Sequence, residues 1–288
     1  MADASKDWAG MHALTLAIAA AVAVALAPGL RGELRARGHL RANYRQRLLP
    51  FPFGLLIVVS ALIALIVLAP LQQLEVAQVF HPQTLTAAVY VLGVAVLGLL
   101  DDALGQTLAG APRGWRAHAL ALRHGQVSTG AMKAAGTVGL ALYALSTLSL
   151  STGRWLLGSA VLVLATHFFN LLDLRPGRAI KALVLLGAGL TIAAGTRALY
   201  TLGLFAGPAL VAGYYDLREL AMLGDTGASV LGALAGLWLV LTLSTLGQAI
   251  AVVLLLAIAL FGEFRSISEL VERLPLLRHL DCLGRPSR

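Results

Sequence analysis

Charge is scarce in this chain: only 12% of its 288 residues are charged, where soluble domains carry about 25%. Hydrophobic residues make up 58%, and the mean hydropathy is +0.82. A soluble core could not bury so much apolar surface, so lipid must replace water over much of it. The composition therefore excludes an ordinary soluble domain and predicts an integral membrane protein.

Cysteine is nearly absent, and the chain lacks hydrophilic linkers and internal repeats. The single cysteine, Cys282, excludes an internal disulfide. Without a linker, residues 1–288 are predicted to form one integral membrane domain. The 22 basic residues lie mostly in short loops beside apolar runs, a pattern typical of membrane orientation. We therefore expect no nucleic-acid partner.

Nine apolar runs approach the length of about 20 residues that a helix needs to cross a bilayer. They cover 11–30, 51–70, 84–100, 129–150, 155–172, 179–196, 198–215, 226–245 and 248–263. The runs are continuously apolar rather than alternating, which favours helices over a barrel. The sequence thus predicts an all-α, polytopic helical bundle with about nine transmembrane helices.

The basic residues also predict how the bundle is oriented. With the N-terminus outside, the loops 31–50, 101–128, 173–181 and 216–225 and the tail 264–288 are cytoplasmic. Nineteen basic residues then fall inside and only Lys6, Arg154 and Arg197 outside. In the tail, a Ser266/Glu269 capping box precedes apolar residues at helical spacing. This pattern predicts a helix that either lies on the inner membrane surface or packs on the loops.

Four carboxylates stand at the predicted cytoplasmic ends of three spans. Asp101 and Asp102 end the third span, Asp173 ends the fifth, and Asp225 opens the eighth. Carboxylates near hydrocarbon are costly and are candidate functional residues. Because they share one depth on one side, we expect them to converge in a cleft, together with Asn170.

Clustered carboxylates repel one another unless a cation or proton joins them. Mg²⁺ prefers oxygen ligands and often sits between one or two carboxylates and a substrate phosphate. Asn170, three residues before Asp173, shares a helix face with it, and His167 extends that face. Cationic candidates for phosphate oxygens follow nearby in sequence: Lys133, Arg175, Arg178 and Lys181. The pattern is typical of phosphoryl transfer.

Each signal also has a purely structural interpretation. The Asp101–Asp102 pair could be a solvated loop, and Asn170 and Asp173 could cap a helix. Asp225 or Thr226 could be the N-cap of the next span. His167 could pack, Arg175 and Arg178 could set topology alone, and Gly232 and Gly236 are typical of close helix packing.

The ordered motifs resemble the polyprenyl-phosphate N-acetylhexosamine-1-phosphate transferase superfamily, which includes phospho-N-acetylmuramoyl-pentapeptide transferase. That superfamily has an Asp-Asp pair after one span, Asn-x-x-Asp after another, and Gly-Asp-x-Gly before a third. Here these are Asp101–Asp102, Asn170 with Asp173, and Gly224–Asp225. The resemblance covers roughly 50–285, nearly the whole chain.

The resemblance implies transfer of a sugar-1-phosphate from a nucleotide-sugar to a polyprenyl phosphate, with release of a nucleoside monophosphate. Mg²⁺ would be the cofactor, bound by Asp225 with Asp101. Asp101 and Asp102 would hold or deprotonate the lipid phosphate, or one would act as nucleophile. Asn170 and Asp173 would orient the nucleotide-sugar, and Lys133 would contact phosphate. The expected location is the bacterial cytoplasmic membrane, in envelope glycan assembly; a homodimer is compatible with the sequence.

Two departures separate the chain from that superfamily. Its members continue Asn-x-x-Asp with Gly-x-Asp-Gly, whereas this chain has Leu174-Arg-Pro176-Gly177. They also have a histidine cluster in a late loop, where this chain has only His279. The first departure predicts weak or absent use of UDP-N-acetylmuramoyl-pentapeptide and weak inhibition by uridine-containing nucleoside antibiotics. The alternative function is a non-catalytic membrane protein that binds polyprenyl phosphate or a glycolipid; a transporter is less favoured, because the carboxylates lie at span ends.

Overall fold

The computed structural model describes residues 3–77, 79–80, 83–105, 124, 128–195 and 202–286. Within these residues the chain forms eleven helices and one short hairpin, so the predicted all-α class is confirmed. The helices are α1 (Asp3–Ala36), α2 (Leu55–Gln73), α3 (Thr84–Leu104), α4 (Thr129–Ser146), α5 (Thr152–Leu172), α6 (Arg178–Ala194), α7 (Gly203–Leu217), α8 (Gly224–Thr242), α9 (Thr245–Phe264), α10 (Ile267–Arg273) and α11 (Pro275–Cys282).

Six of these helices are long and apolar enough to cross a membrane: α1, α2, α3, α5, α8 and α9. The predicted spans 129–150, 179–196 and 198–215 coincide with α4, α6 and α7, which have 18, 17 and 15 residues and are shorter or less apolar. These apolar helices indicate that the chain is a multi-span helical membrane protein. The count of nine spans and the orientation stay predictions.

Helix α8 forms the centre of the bundle and is buried along most of its length. It packs against α3, α5 and α6. A Cβ at Gly232 would lie 2.5 Å from the Thr166 Cα, and one at Gly236 would lie 3.1 Å from the Leu162 Cα. These two glycines let α8 approach the α5 backbone, as the small-residue spacing predicts.

A two-stranded hairpin lies in the loop 31–50, which the sequence identified only as a basic cytoplasmic segment. Strand β1 (Leu40–Ala42) pairs antiparallel with β2 (Leu48–Pro50). The Asn43 side chain closes the turn by accepting hydrogen bonds from the backbone N–H groups of Arg45 and Arg47, at 2.8 and 3.0 Å. Such local Asx bonds offer the backbone an alternative to helix. The Pro50 carbonyl then accepts from the Met222 N–H at 2.9 Å, which fixes the hairpin near the start of α8.

The tail after α9 folds into α10 and α11, two short helices instead of one. Ser266 Oγ accepts from the Glu269 N–H at 3.3 Å, so the predicted N-cap is present. Pro275 begins the second helix, at a position where a proline is favoured because its missing N–H would have no partner within the helix. Arg178 donates to Asp281 at 2.7 Å, and Lys181 donates to the Leu280 carbonyl at 2.8 Å. The tail therefore packs on the first turn of α6 and, through a hydrogen bond from Arg285 to the Pro176 carbonyl, on the loop before it, the second of the two predicted arrangements.

Candidate functional site

The last turn of α3 meets the first turn of α8 through the Asp102 carboxylate, which is buried. Asp102 accepts hydrogen bonds from the Asp225 N–H at 2.9 Å, the Thr226 N–H at 2.8 Å and the Thr226 hydroxyl at 2.6 Å. The first N–H groups of a helix have no partner within it, and a carboxylate there also favours the helix dipole. Asp102 is thus the cap of α8, supplied by another helix, and neither Asp225 nor Thr226 is the N-cap.

Glycine makes this approach sterically allowed. Gly224 has φ +73°, a left-handed conformation that side chains other than glycine rarely adopt. A Cβ at Gly224 would lie 2.8 Å from an Asp102 carboxylate oxygen. A Cβ at Gly98, one turn earlier on α3, would lie 2.5 Å from the Asp225 carbonyl oxygen. The contact between α3 and α8 therefore depends on glycine on both sides.

Lys133 occupies the centre of the polar cluster at this end of the bundle. It projects from the first turns of α4, which Ser128 caps by accepting from the Ala131 N–H at 3.2 Å. The Lys133 ammonium lies 2.6 Å from Asp225 Oδ1, 2.9 Å from Asn170 Oδ1 and 3.5 Å from Asp101 Oδ2. Three separate helices thus deliver oxygen atoms to a single cation, and we call these four residues the lysine cluster.

Asn170 links the lysine cluster to the core of the bundle. Its amide nitrogen donates to the Thr166 carbonyl at 2.8 Å, one turn back on α5. Its other contact is the hydroxyl of Ser229, a buried residue one turn into α8, at 3.4 Å. These bonds orient the amide oxygen toward Lys133.

Asp173 and His167 lie next to the cluster on either side of Asn170. Asp173 ends α5, is half-buried, and has Asp216, Asp225, Asp102 and Lys133 as charged neighbours. His167 lies exposed on α5, with Lys133 and Glu263 as its charged neighbours. The predicted convergence of the three acidic motifs is therefore present in the structure; the catalytic and substrate-binding roles stay predictions.

Arg175 and Arg178 are not part of this cluster. Arg175 pairs with Glu272 at 3.0 Å and stacks on the Tyr44 ring at 4.6 Å. Arg178 is buried and pairs with Asp281. Arg175 thus connects the tail to the hairpin, and Arg178 holds the tail.

Two buried acidic residues at the same end were not identified from the sequence. Asp216, at the end of α7, accepts from the Gly177 N–H at 2.7 Å and from the Leu223 N–H at 3.4 Å. Glu219 accepts from the Asn43 amide at 3.2 Å and pairs with Arg45 at 3.5 Å. The signal was available: both lie at the end of the seventh predicted span, at the depth of the other carboxylates.

Magnesium suits the chemistry of this donor set. No group of three or more acidic, histidine or cysteine side chains that could hold a metal is found in the described part of the chain. Mg²⁺ needs fewer protein ligands, usually one or two carboxylates with waters and substrate phosphate. The carboxylates of Asp101 and Asp225 and the amide oxygen of Asn170 already converge on one cation. These residues would hold the ion.

Comparison with protein-family models and with curated proteins gives no match for this chain.

Proposed function

We propose that the chain transfers a sugar-1-phosphate from a nucleotide-sugar to a polyprenyl phosphate at the cytoplasmic membrane face, in bacterial envelope glycan assembly. The single observation that carries the proposal is the lysine cluster. Side chains from α3, α5 and α8 surround the Lys133 ammonium of α4 at the ends of these helices, where the proposal places the lipid phosphate. A phosphoryl-transfer site needs this combination of oxygen ligands and positive charge.

In the proposed reaction, an oxygen of the lipid phosphate attacks the sugar-linked phosphorus of the nucleotide-sugar. A new P–O bond forms, the bond to the nucleoside monophosphate breaks, and that monophosphate leaves with the electron pair. Lys133 donates to phosphate oxygens, and Asp101, whose side chain is 20% exposed, faces the lipid phosphate. Asp102 is a positioning residue, because its carboxylate already accepts hydrogen bonds from the first turn of α8.

The charge balance explains why magnesium belongs to the proposal. Four acidic groups (Asp101, Asp102, Asp173 and Asp225) lie near a single lysine, and both substrates bring further negative charge. Mg²⁺, when bound, would offset that charge on the transferred phosphate. Asp101, Asp225 and Asn170 would hold it, and Lys133 would then be free to turn toward phosphate.

The test is a reconstituted transfer assay. Purified protein, Mg²⁺ and undecaprenyl phosphate are incubated with a panel of nucleotide-sugars, and mass spectrometry looks for a lipid diphosphate-sugar and a nucleoside monophosphate. Asp225→Asn keeps the side-chain shape and loses the charge, so turnover should fall by about 10²–10³-fold. The matched control is Glu33→Gln, an exposed carboxylate whose ion-pair partner among the described residues is Arg37. Equal turnover in Asp225→Asn and the control would reject the role of Asp225.

A second candidate is a non-catalytic protein that binds the same lipid phosphate. The observation that favours it is Lys133 itself, whose ammonium already neutralises Asp101 and Asp225 directly. The same assay distinguishes this candidate from the first. Undecaprenyl phosphate would bind saturably, and none of the donors would give a product.

A further inference from the structure

A large cavity lies on the same end of the molecule, between the hairpin, the segment before α6 and the tail. Its volume is about 1140 Å³. Five arginines line it: Arg45, Arg47, Arg175, Arg278 and Arg285. We call it the arginine cavity. It shares no lining residue with the lysine cluster.

Positive charge is in excess in this cavity. Among the described residues, two carboxylates, Glu272 and Asp281, line it with the five arginines. Glu219 lies behind the wall and pairs with Arg45. Within the described ranges, the guanidinium groups of Arg47 and Arg278 have no ion pair or hydrogen bond, and both side chains are exposed. The cavity therefore offers two cationic groups that no carboxylate of the described residues neutralises.

The other three arginines are held in fixed positions. Arg175 and Arg45 lie over the Tyr44 ring, at 4.6 and 5.2 Å from its centre. Arg285 makes a two-bond contact with Asp281, at 3.0 and 2.7 Å. Stacking on an aromatic ring and paired hydrogen bonds both reduce the freedom that a guanidinium would lose on binding a ligand. The cavity wall is therefore preorganised.

We propose that the arginine cavity is a second binding site, for a ligand that bears a phosphate or diphosphate group. The planar guanidinium donates two parallel hydrogen bonds to phosphate oxygens, and several arginines together favour a multiply charged anion. The volume exceeds what a lone phosphate ion fills, so the ligand is a diphosphate or a phosphate ester with an organic part. This site does not depend on the transfer reaction proposed above.

Such a phosphate has two sources, an anionic lipid headgroup or a soluble phosphate compound. The exposed leucines beside the cavity favour the lipid. Leu276 of α11 is 72% exposed and Leu283, just after it, is 57% exposed. An amphipathic helix with exposed leucines and arginines is suited to the boundary between lipid headgroups and water.

Cys282 provides a direct readout, because it is the only cysteine of the chain, is exposed and lines the cavity. The full-length protein in detergent is alkylated with an uncharged maleimide, with and without inorganic pyrophosphate at constant ionic strength. Calorimetric titration of pyrophosphate gives an independent Kd. A second arm compares nanodiscs of phosphatidylcholine alone with nanodiscs that also contain phosphatidic acid.

We expect slower alkylation with pyrophosphate or in the phosphatidic-acid nanodiscs. Slowing in the first arm identifies a soluble phosphate ligand, and slowing in the second arm alone identifies a lipid headgroup. Arg47→Gln and Arg278→Gln each remove one charged contact and should weaken the apparent affinity by about tenfold. Arg265→Gln is the matched control, an exposed arginine outside the cavity. No slowing in either arm with no heat of binding, or equal weakening in the control, would overturn the proposal.

Discussion

Lys133 stands where clustered oxygens at the end of the membrane helices would otherwise repel one another. Its side chain is 13% exposed, and its contact with Asp225 at 2.6 Å is the shortest in the cluster. A nearby positive charge stabilises a carboxylate more strongly in a partly dry environment than it does in water. The lysine therefore has a structural role that stands apart from any role in catalysis.

This role can be tested with Lys133→Met, which keeps the aliphatic part and removes the ammonium. The oxygens of Asp101, Asp225 and Asn170 would then lack their cation, so the variant should lose about 1–3 kcal/mol of stability. Thermal unfolding in detergent measures the loss. Added Mg²⁺ should raise the melting temperature of the variant more than that of the wild type, because an ion that binds only the folded state stabilises it.

Arg265→Gln serves as the control, because it removes a positive charge near the same end without touching the cluster. Its response to Mg²⁺ should equal that of the wild type. If Lys133→Met were as stable as the wild type and indifferent to Mg²⁺, then the three oxygens would not need a cation.

At the scale of elements, the contact between α3 and α8 depends on backbone that only glycine provides. Gly224→Ala would place a methyl group against Asp102 in a left-handed conformation, so we expect a substantial drop in melting temperature. Gly139→Ala is the matched control. Gly139 lies within α4 with nothing within 4 Å of its Cβ position, and alanine there should stabilise the helix by about 0.5–1 kcal/mol. Equal effects of the two substitutions would contradict the proposed packing.

The docked tail is a second element whose stability rests on charge. Burial alone would raise the pKa of Asp281, but hydrogen bonds from Arg178 and Arg285 outweigh it and lower that pKa below its usual value. A carboxylate with a lowered folded-state pKa contributes stability above its unfolded pKa of about 3.9, and this is lost as the pH falls through the folded value. Tail docking through this ion pair should therefore be constant between about pH 7 and pH 5 and weaken only below about pH 4.

A nitroxide attached to Cys282 reports the mobility of the tail by electron paramagnetic resonance. Mobility should rise only in that acidic range for the wild type. In Arg178→Gln it should be raised already at neutral pH, because Asp281 loses its buried partner. An unchanged spectrum of Arg178→Gln would show that this ion pair does not hold the tail.

The helices could be predicted from the sequence where the pattern that indicates them lies within a short stretch of residues. Hydropathy over about 20 residues predicted apolar runs that overlap with the described helices α1 to α9, and the Ser266 cap was recognisable from Ser266 to Glu269 alone. The contacts that build the site are not local. Asp102 caps α8 from 124 residues away, and Arg178 meets Asp281 across 103 residues. No periodicity encodes such pairs, so Arg178 was interpreted as a substrate contact and Asp102 as a catalytic group for the lipid phosphate.

At the scale of the whole molecule, most of the charged residues that the structure describes lie at one end of the bundle. The lysine cluster, the arginine cavity and the docked tail all belong to that end. Arg154 stands exposed near the start of α5, at the opposite end of that helix from Asn170. This asymmetry is typical of a protein whose charged end faces the cytoplasm.

The orientation can be measured with the native cysteine. A membrane-impermeant maleimide should label Cys282 in inverted vesicles and leave it unlabelled in intact, right-side-out vesicles, because the tail is predicted to be cytoplasmic. The reciprocal probe is Arg154→Cys in a Cys282→Ser background, which should be labelled only from the outside. Together the two probes determine the direction in which α5 crosses the membrane and the side of the membrane on which the tail lies. Labelling of Cys282 from the outside would invert the predicted topology and remove the lysine cluster from the face where nucleotide-sugars are found.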